Sequence, residues 1–267
     1  MKNIFKVFIV SIFCFLLVCP HCKPKSKTNA IAEPELAIVI DDFGSYDESG
    51  VQTLLETDIP LTCAVLPNVD NTTKHLSQIQ ASKNKEIILH LPMQAHVNLP
   101  KDWYGPTYIQ VGDNHETINK KLDECLKDFP SIKGFNTHIG SGVSRHKPTM
   151  KHIYNIANER GLYFLDSRTI ETNATADAAK ETNSFYLGRD EFLEADKNKS
   201  YSNVKFRLLE SARTAKEKGH AIAIGHVGAE GGEQTAKAII DTIPEIEKMG
   251  IKIVTLSLLH DNLKTAK

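Results

Sequence analysis

"AIVIDDFG", residues 37–44, sets an apolar run, Ala37-Ile38-Val39-Ile40, directly against two adjacent carboxylates, Asp41 and Asp42. Four apolar residues bounded by polar ones suit a short strand buried on both faces. Ending such a strand on a doubled negative charge is costly. Like charges side by side resist ionising unless a cation or hydrogen bonds stand beside them.

The same grammar recurs along the chain. Thr62–Leu66 ends at Pro67-Asn68, Glu86–Leu89 at His90 and Lys133–Thr137 at His138. Leu162–Leu165 ends at Asp166, Ala221–Ile224 at Gly225-His226, and Lys252–Leu256 is the last run of this kind. Helical spacing separates them near residues 49–56, 71–83, 115–129, 149–160, 202–218 and 233–249. In the third of these, Ile118, Leu122, Cys125 and Leu126 share one face. Residues 92–113 are rich in turn formers and hold the only tryptophan, Trp103.

Alternating β and α units with short buried strands predict a parallel α/β sheet or barrel. Functional groups in such folds collect at the C-terminal strand ends. Asp41, Asp42, His90, His138, Asp166 and His226 each follow an apolar run, so they are expected to converge on one mouth. Aspartates and histidines gathered there suit metal ligation or acid–base catalysis around a metal, and a divalent cation would relieve the Asp41–Asp42 repulsion.

Composition sets the outer limits. The 267 residues are 41% apolar and 24% charged, ordinary for a globular protein. Lysine and arginine number 32 against 33 acids, a balance that gives no reason to expect nucleic acid as a partner. Cys63 and Cys125 are isolated in the domain without a CxxC pair, so a cysteine zinc site is not expected. Two buried thiols are the default, with a disulfide between them as the alternative.

The first residues differ from the rest. Met1 to Lys6 carries two lysines, and Val7 to Val18 is almost uninterrupted apolar sequence. About a dozen apolar residues fit a secretory signal better than a membrane span, which needs roughly 20. Residues 1–19 are therefore expected to form a signal peptide and 20–34 a polar linker, with the domain at 35–262. "FLLVC" resembles a lipoprotein lipobox, which would attach the protein to a membrane through lipidated Cys19; an ordinary signal peptide or an uncleaved anchor are the alternatives. Each reading implies export, to the periplasm or to a membrane-anchored place in the cell envelope.

"IVIDDFG", "IILHLPM", "GFNTHIGSG", "FLDSRT" and "AIAIGH" together resemble, in order, the motifs of the divergent polysaccharide deacetylases. The resemblance spans about residues 35–259. It implies a deformed (β/α) barrel of the glycoside hydrolase/deacetylase type with mostly parallel strands, and hydrolysis of acetyl groups on a polysaccharide or oligosaccharide of the cell envelope. By that likeness Asp41 is the catalytic base, Asp42 and His90 bind a divalent metal, zinc first among the choices, and His226 protonates the leaving group. Asp166 matches the acidic residue of the fourth motif and would orient His226 or another rim group.

Two departures stand out. The second histidine of the H-x-x-x-H metal motif is replaced by Gln94, and the arginine-containing third motif is not evident. His138 is the candidate for the missing ligand, with His96 as a substitute to watch. His75, His115, His146, His152, His220 and His260 are expected at the surface or in loops. The alternative function is a catalytically weak or inactive glycan-binding or partner-binding module on the same barrel. A phosphoesterase is disfavoured by the lack of an arginine or lysine cluster near the motifs.

Overall fold

A computed structural model describes residues 33–266. The expected signal peptide, Cys19 and nearly all of the linker lie outside the described residues.

Among these residues nine strands form one sheet: β1 (Glu35–Phe43), β2 (Leu61–Val65), β3 (Lys85–Met93), β4 (Gly134–Ile139), β5 (Tyr163–Asp166), β6 (Leu187–Gly188), β7 (Glu191–Phe192), β8 (His220–His226) and β9 (Lys252–Val254). Among the described residues, eight α-helices lie between and after them: α1 (Val51–Leu55), α2 (Thr72–Ala81), α3 (His115–Leu126), α4 (Lys147–Arg160), α5 (Ala174–Glu181), α6 (Tyr201–Lys218), α7 (Gly232–Lys248) and α8 (Leu256–Thr265). The strand order is β6-β5-β4-β3-β2-β1-β8-β7, with β9 also paired to β1. Every pairing between these strands is parallel.

The two ends of that order are joined by only Arg189 and Asp190. The Arg189 amide donates to the Asp166 carbonyl at 3.0 Å, and the Asp190 amide to Ile222 at 2.8 Å. The sheet thus curls until its edges meet through the chain itself, a deformed barrel as expected.

Three apolar layers hold it together. Leu36, Ile38 and Ile40 of β1 pack outward with Leu54, Val204, Leu208, Ile239 and Ile243 from α1, α6 and α7. Leu89, Leu91, Met93, Phe135 and Phe164 pack outward against Ile118, Leu122, Ile153 and Tyr154 of α3 and α4. Ala37, Val39, Ala64, Ile88, Leu165, Leu187, Ile222 and Ile224 fill the barrel interior. Successive strand side chains alternate between these layers, as a period of two requires.

Local chemistry sets the helix ends. The Asn114 side chain caps α3 by accepting from the Thr117 amide at 2.9 Å, and α4 ends at Gly161 with φ 66°. Several expectations change here. The last apolar run stops as a strand at Val254, and Leu256 begins α8 instead. The two-residue strands β6 and β7 and the helix α5 are too short or too polar to announce themselves. Cys63 and Cys125 are buried and free, and burial pushes each thiol up to about 12.

Candidate active site

Alternation decides which strand-end residues enter the mouth. On β1, Ala37 and Val39 face the interior, so Asp41 follows them inward. On β3 Ile88 leads to His90, and on β8 Ile222 and Ile224 lead to His226. On β4 Phe135 faces the helices, so Asn136 and His138 face in. By the same count Asp42 should point outward. A register shift between Ile40 and Phe43 and a left-handed backbone at Asp42, φ 69°, turn it back toward the mouth. Ile139 at the end of β4 also sits in the left-handed region, φ 60°. That is a costly place for a β-branched residue, and such strain collects at functional sites.

Asp42, His90 and His138 each offer a ligand atom within 4.8 Å of the others. His90 Nε2 lies 3.4 Å and His138 Nδ1 3.3 Å from Asp42 Oδ1, which is buried without a hydrogen-bond partner. The far sides of both rings are already committed. His90 Nδ1 stands 2.7 Å from Asn136 Oδ1, whose Nδ2 donates to Asp41 Oδ1 at 2.8 Å. His138 Nε2 stands 3.2 Å from the Trp103 carbonyl.

Since amide and carbonyl oxygens only accept, both of those ring nitrogens carry the proton. In neutral rings, His90 Nε2 and His138 Nδ1 then turn lone pairs toward each other, 3.2 Å apart, and toward the Asp42 carboxylate. Three acceptors facing one another call for a cation. Two imidazoles and one carboxylate form a donor set that could hold a divalent metal ion. Burial resists ionisation of Asp42; where His138 and His90 carry protons toward it in place of a cation, they outweigh that and hold its carboxyl well below the usual range.

Asp41 is buried beside this cluster, 3.8 Å from His90 Nε2. Burial raises its carboxyl above the ordinary value, against the pull of His90 and His226. His226 is the opposite case. Burial disfavours its cation, but the Glu194 carboxylate at 2.9 Å from Nδ1 overrides this and lifts the ring to about 9. Glu194 also accepts from the His226 amide at 3.1 Å and from Thr235 Oγ1 at 2.6 Å. Gly231 leaves the room for this arrangement: a Cβ there would come within 2.6 Å of Glu194 Oε1.

Asp166 does not meet His226. Its neighbours Phe164 and Leu165 place it on the helix-facing side, where it accepts from the Arg168 amide at 2.9 Å and from Tyr186 Oη at 3.0 Å. Glu194, not Asp166, orients His226. Gln94 and His96 also stand apart from the cluster: Gln94 Oε1 accepts from the Val111 amide, and His96 pairs with Ser141. His75 is a correction of another kind. Expected at the surface, it is fully buried on α2, where Nδ1 accepts from the Gly44 amide at 2.7 Å and pins the turn after Asp42.

Asn136, Glu194 and Arg189 stand at no strand end that the sequence pattern marks. Asn136 lies two residues before His138 on one strand face, a signal that alternation alone carries. Glu194 and Arg189 follow no apolar run. Arg189 stacks on Phe192 at 3.9 Å, and Phe192 stacks in turn on His226.

The family model described as divergent polysaccharide deacetylase matches residues 38–260, which includes every residue of this cluster. The chain belongs to that family. A Haemophilus influenzae protein described as uncharacterized is 28% identical over 197 residues, covering 74% of this chain and 68% of its own length. Escherichia coli YibQ, also described as uncharacterized, is 29% identical over 200 residues, and the match spans only 60% of that longer relative. Among solved structures, an uncharacterized Agrobacterium tumefaciens protein has a TM-score of 0.74 at 21% identity, covering 85% of this chain and 89% of that one. That likeness shows that the two share a fold.

Proposed function

We propose that the domain hydrolyses acetyl groups on a polysaccharide or oligosaccharide, with Asp41 as general base and His226 as general acid. A divalent cation, zinc by its donor set, would be held by Asp42, His90 and His138. One observation carries the reading: Asp42 Oδ1 is buried without a hydrogen bond between two imidazole nitrogens whose protons are engaged elsewhere.

A cation held there would supply Lewis acidity toward an acetyl carbonyl and toward water near neutral pH. Asp41 takes the proton of the attacking water; its raised affinity for protons suits that task. Asn136 holds one oxygen of Asp41, leaving the other free to accept. His226, protonated below about pH 9, gives its proton to the departing nitrogen or oxygen, and Glu194 stabilises the cation until that moment. The new C–O bond and the broken acetyl linkage leave acetate and a sugar amine or alcohol.

The alternative, a non-catalytic glycan-binding module, rests on Gln94. His138 beside Asp42 weakens that ground, which supports the hydrolytic reading. Export through residues 1–19, with or without lipidation of Cys19, belongs to the same proposal and would put the substrate in the cell envelope.

The test is acetate release from N-acetylated and O-acetylated glycans by zinc-loaded protein. Asp41→Asn should lower the rate by about 10²–10⁴-fold while retaining bound zinc. Turnover at the parental rate in that variant would remove Asp41 from the mechanism, and zinc binding without any turnover would favour the module.

A further inference from the structure

A cleft of about 730 Å³ opens against Asp42 and His138, within the roughly 300–1,000 Å³ usual for organic ligands. Two large aromatic side chains on its wall are turned to solvent, Tyr46 at 78% and Trp103 at 60% exposure. Rings left exposed beside a site that already holds a buried, unpartnered carboxylate oxygen are surfaces for a ligand with a flat apolar face. A pyranose ring has one.

The charge on the wall is one-sided. Asp42, Asp70, Asp102 and Glu230 line the cleft, and among the described residues no lysine or arginine does. Asp42 belongs to the cation cluster, and Glu230 has Lys199 at 3.6 Å. Asp70 and Asp102 form no ion pair among the described residues. A wall of this sign repels uronates, phosphates and other anionic sugars and attracts ammonium groups.

Resting on the deacetylase reading above, we propose that the cleft selects amino-sugar chains that already carry free ammonium groups beside the acetylated unit. Tyr46 and Trp103 would take sugar faces and Asp70 and Asp102 the flanking cations. Each hydrolysis of an N-acetyl group converts a neutral unit into such a cation, so early products would be better substrates than the starting chain. Trp103 has a second role in this arrangement: its carbonyl fixes the proton of His138, so the turn that meets the sugar is tied to the catalytic cluster.

The test is calorimetric binding and acetate release on zinc-loaded protein with three tetrasaccharides at low salt. The probes are fully N-acetylated chitotetraose, its half-deacetylated form and tetragalacturonate. Binding of the half-deacetylated chain about tenfold tighter than the acetylated one, weakening with added salt, and no binding of the uronate are expected. Asp70→Asn with Asp102→Asn should bring the first two affinities together. Trp103→Ala, which keeps the carbonyl, should weaken both chitotetraoses about tenfold without loss of zinc. Equal binding of neutral and cationic chains, or tight uronate binding, would overturn the selectivity while leaving hydrolysis standing. Cationic preference in binding with no acetate release would do the reverse.

Discussion

Glu194 holds His226 twice, Oε2 at 2.9 Å from the ring nitrogen Nδ1 and Oε1 accepting the backbone amide at 3.1 Å, across 32 residues of sequence. Both the position and the proton of the ring are fixed by one buried carboxylate. With the ring lifted to about 9, the acid form dominates below that pH, and hydrolysis should fall as pH rises through about 9. In Glu194→Gln the charge is gone while burial still disfavours the cation. The alkaline limb then moves down, and at pH 8 kcat/KM drops by about tenfold or more. A pH–rate profile of both proteins checks it. The sign for stability follows the same route. A raised pKa contributes stability present below the unfolded value near 6.5 and lost as pH climbs through about 9. Denaturation at pH 6 and 10 should therefore separate the parent more than the variant.

The cluster of Asp42, His90 and His138 should make zinc a stabiliser. At a zinc concentration about 100 times Kd, linkage adds about 2.7 kcal/mol, which for a domain of this size corresponds to roughly 5–10 °C in Tm. Asp42→Asn, His90→Ala and His138→Ala should each lose that shift, whereas Gln94→Ala should keep it. Scanning calorimetry with and without zinc, beside elemental analysis, reads the result.

Asn136 joins base and ligand, so its loss should show in both. Asn136→Ala strips the partner from His90 Nδ1 and from Asp41 Oδ1, both buried. Zinc affinity should fall by about 10–100-fold, the usual effect of removing a group that orients a ligating histidine. Stability should fall by about 1–3 kcal/mol for the buried polar atoms left unpaired. Competition with a chromophoric chelator and urea denaturation measure the two separately.

The turn after Asp42 is held from beneath by His75. His75→Leu leaves the Gly44 amide buried without an acceptor and should cost about 1–3 kcal/mol in urea denaturation. Gly44→Ala should also destabilise, since Gly44 has φ 96° and a Cβ would stand 2.9 Å from the Leu66 carbonyl. Because that turn carries Asp42 into the cluster, both variants should bind zinc more weakly than the parent.

Strand-end position was enough, in the sequence, to gather Asp41, Asp42, His90, His138, Asp166 and His226 at one rim and to announce a parallel sheet or barrel, the resemblance to the deacetylases choosing the barrel. Apolar runs and their polar stops are local patterns, and a period of two carries each stop residue to a predictable face. Counted through, that period also brings in Asn136 and turns Asp166 toward the helices. Asp42 lay beyond it, because its side is set by a register shift and a left-handed residue that arise from pairing with β2. Glu194 lay further still. It sits beside His226 only because the barrel closes through Arg189 and Asp190, which sets β7 against β8. Local sequence thus determined which residues stand at the rim, and tertiary closure decided which of them touch, since contacts across 32 or more residues depend on how the sheet curls.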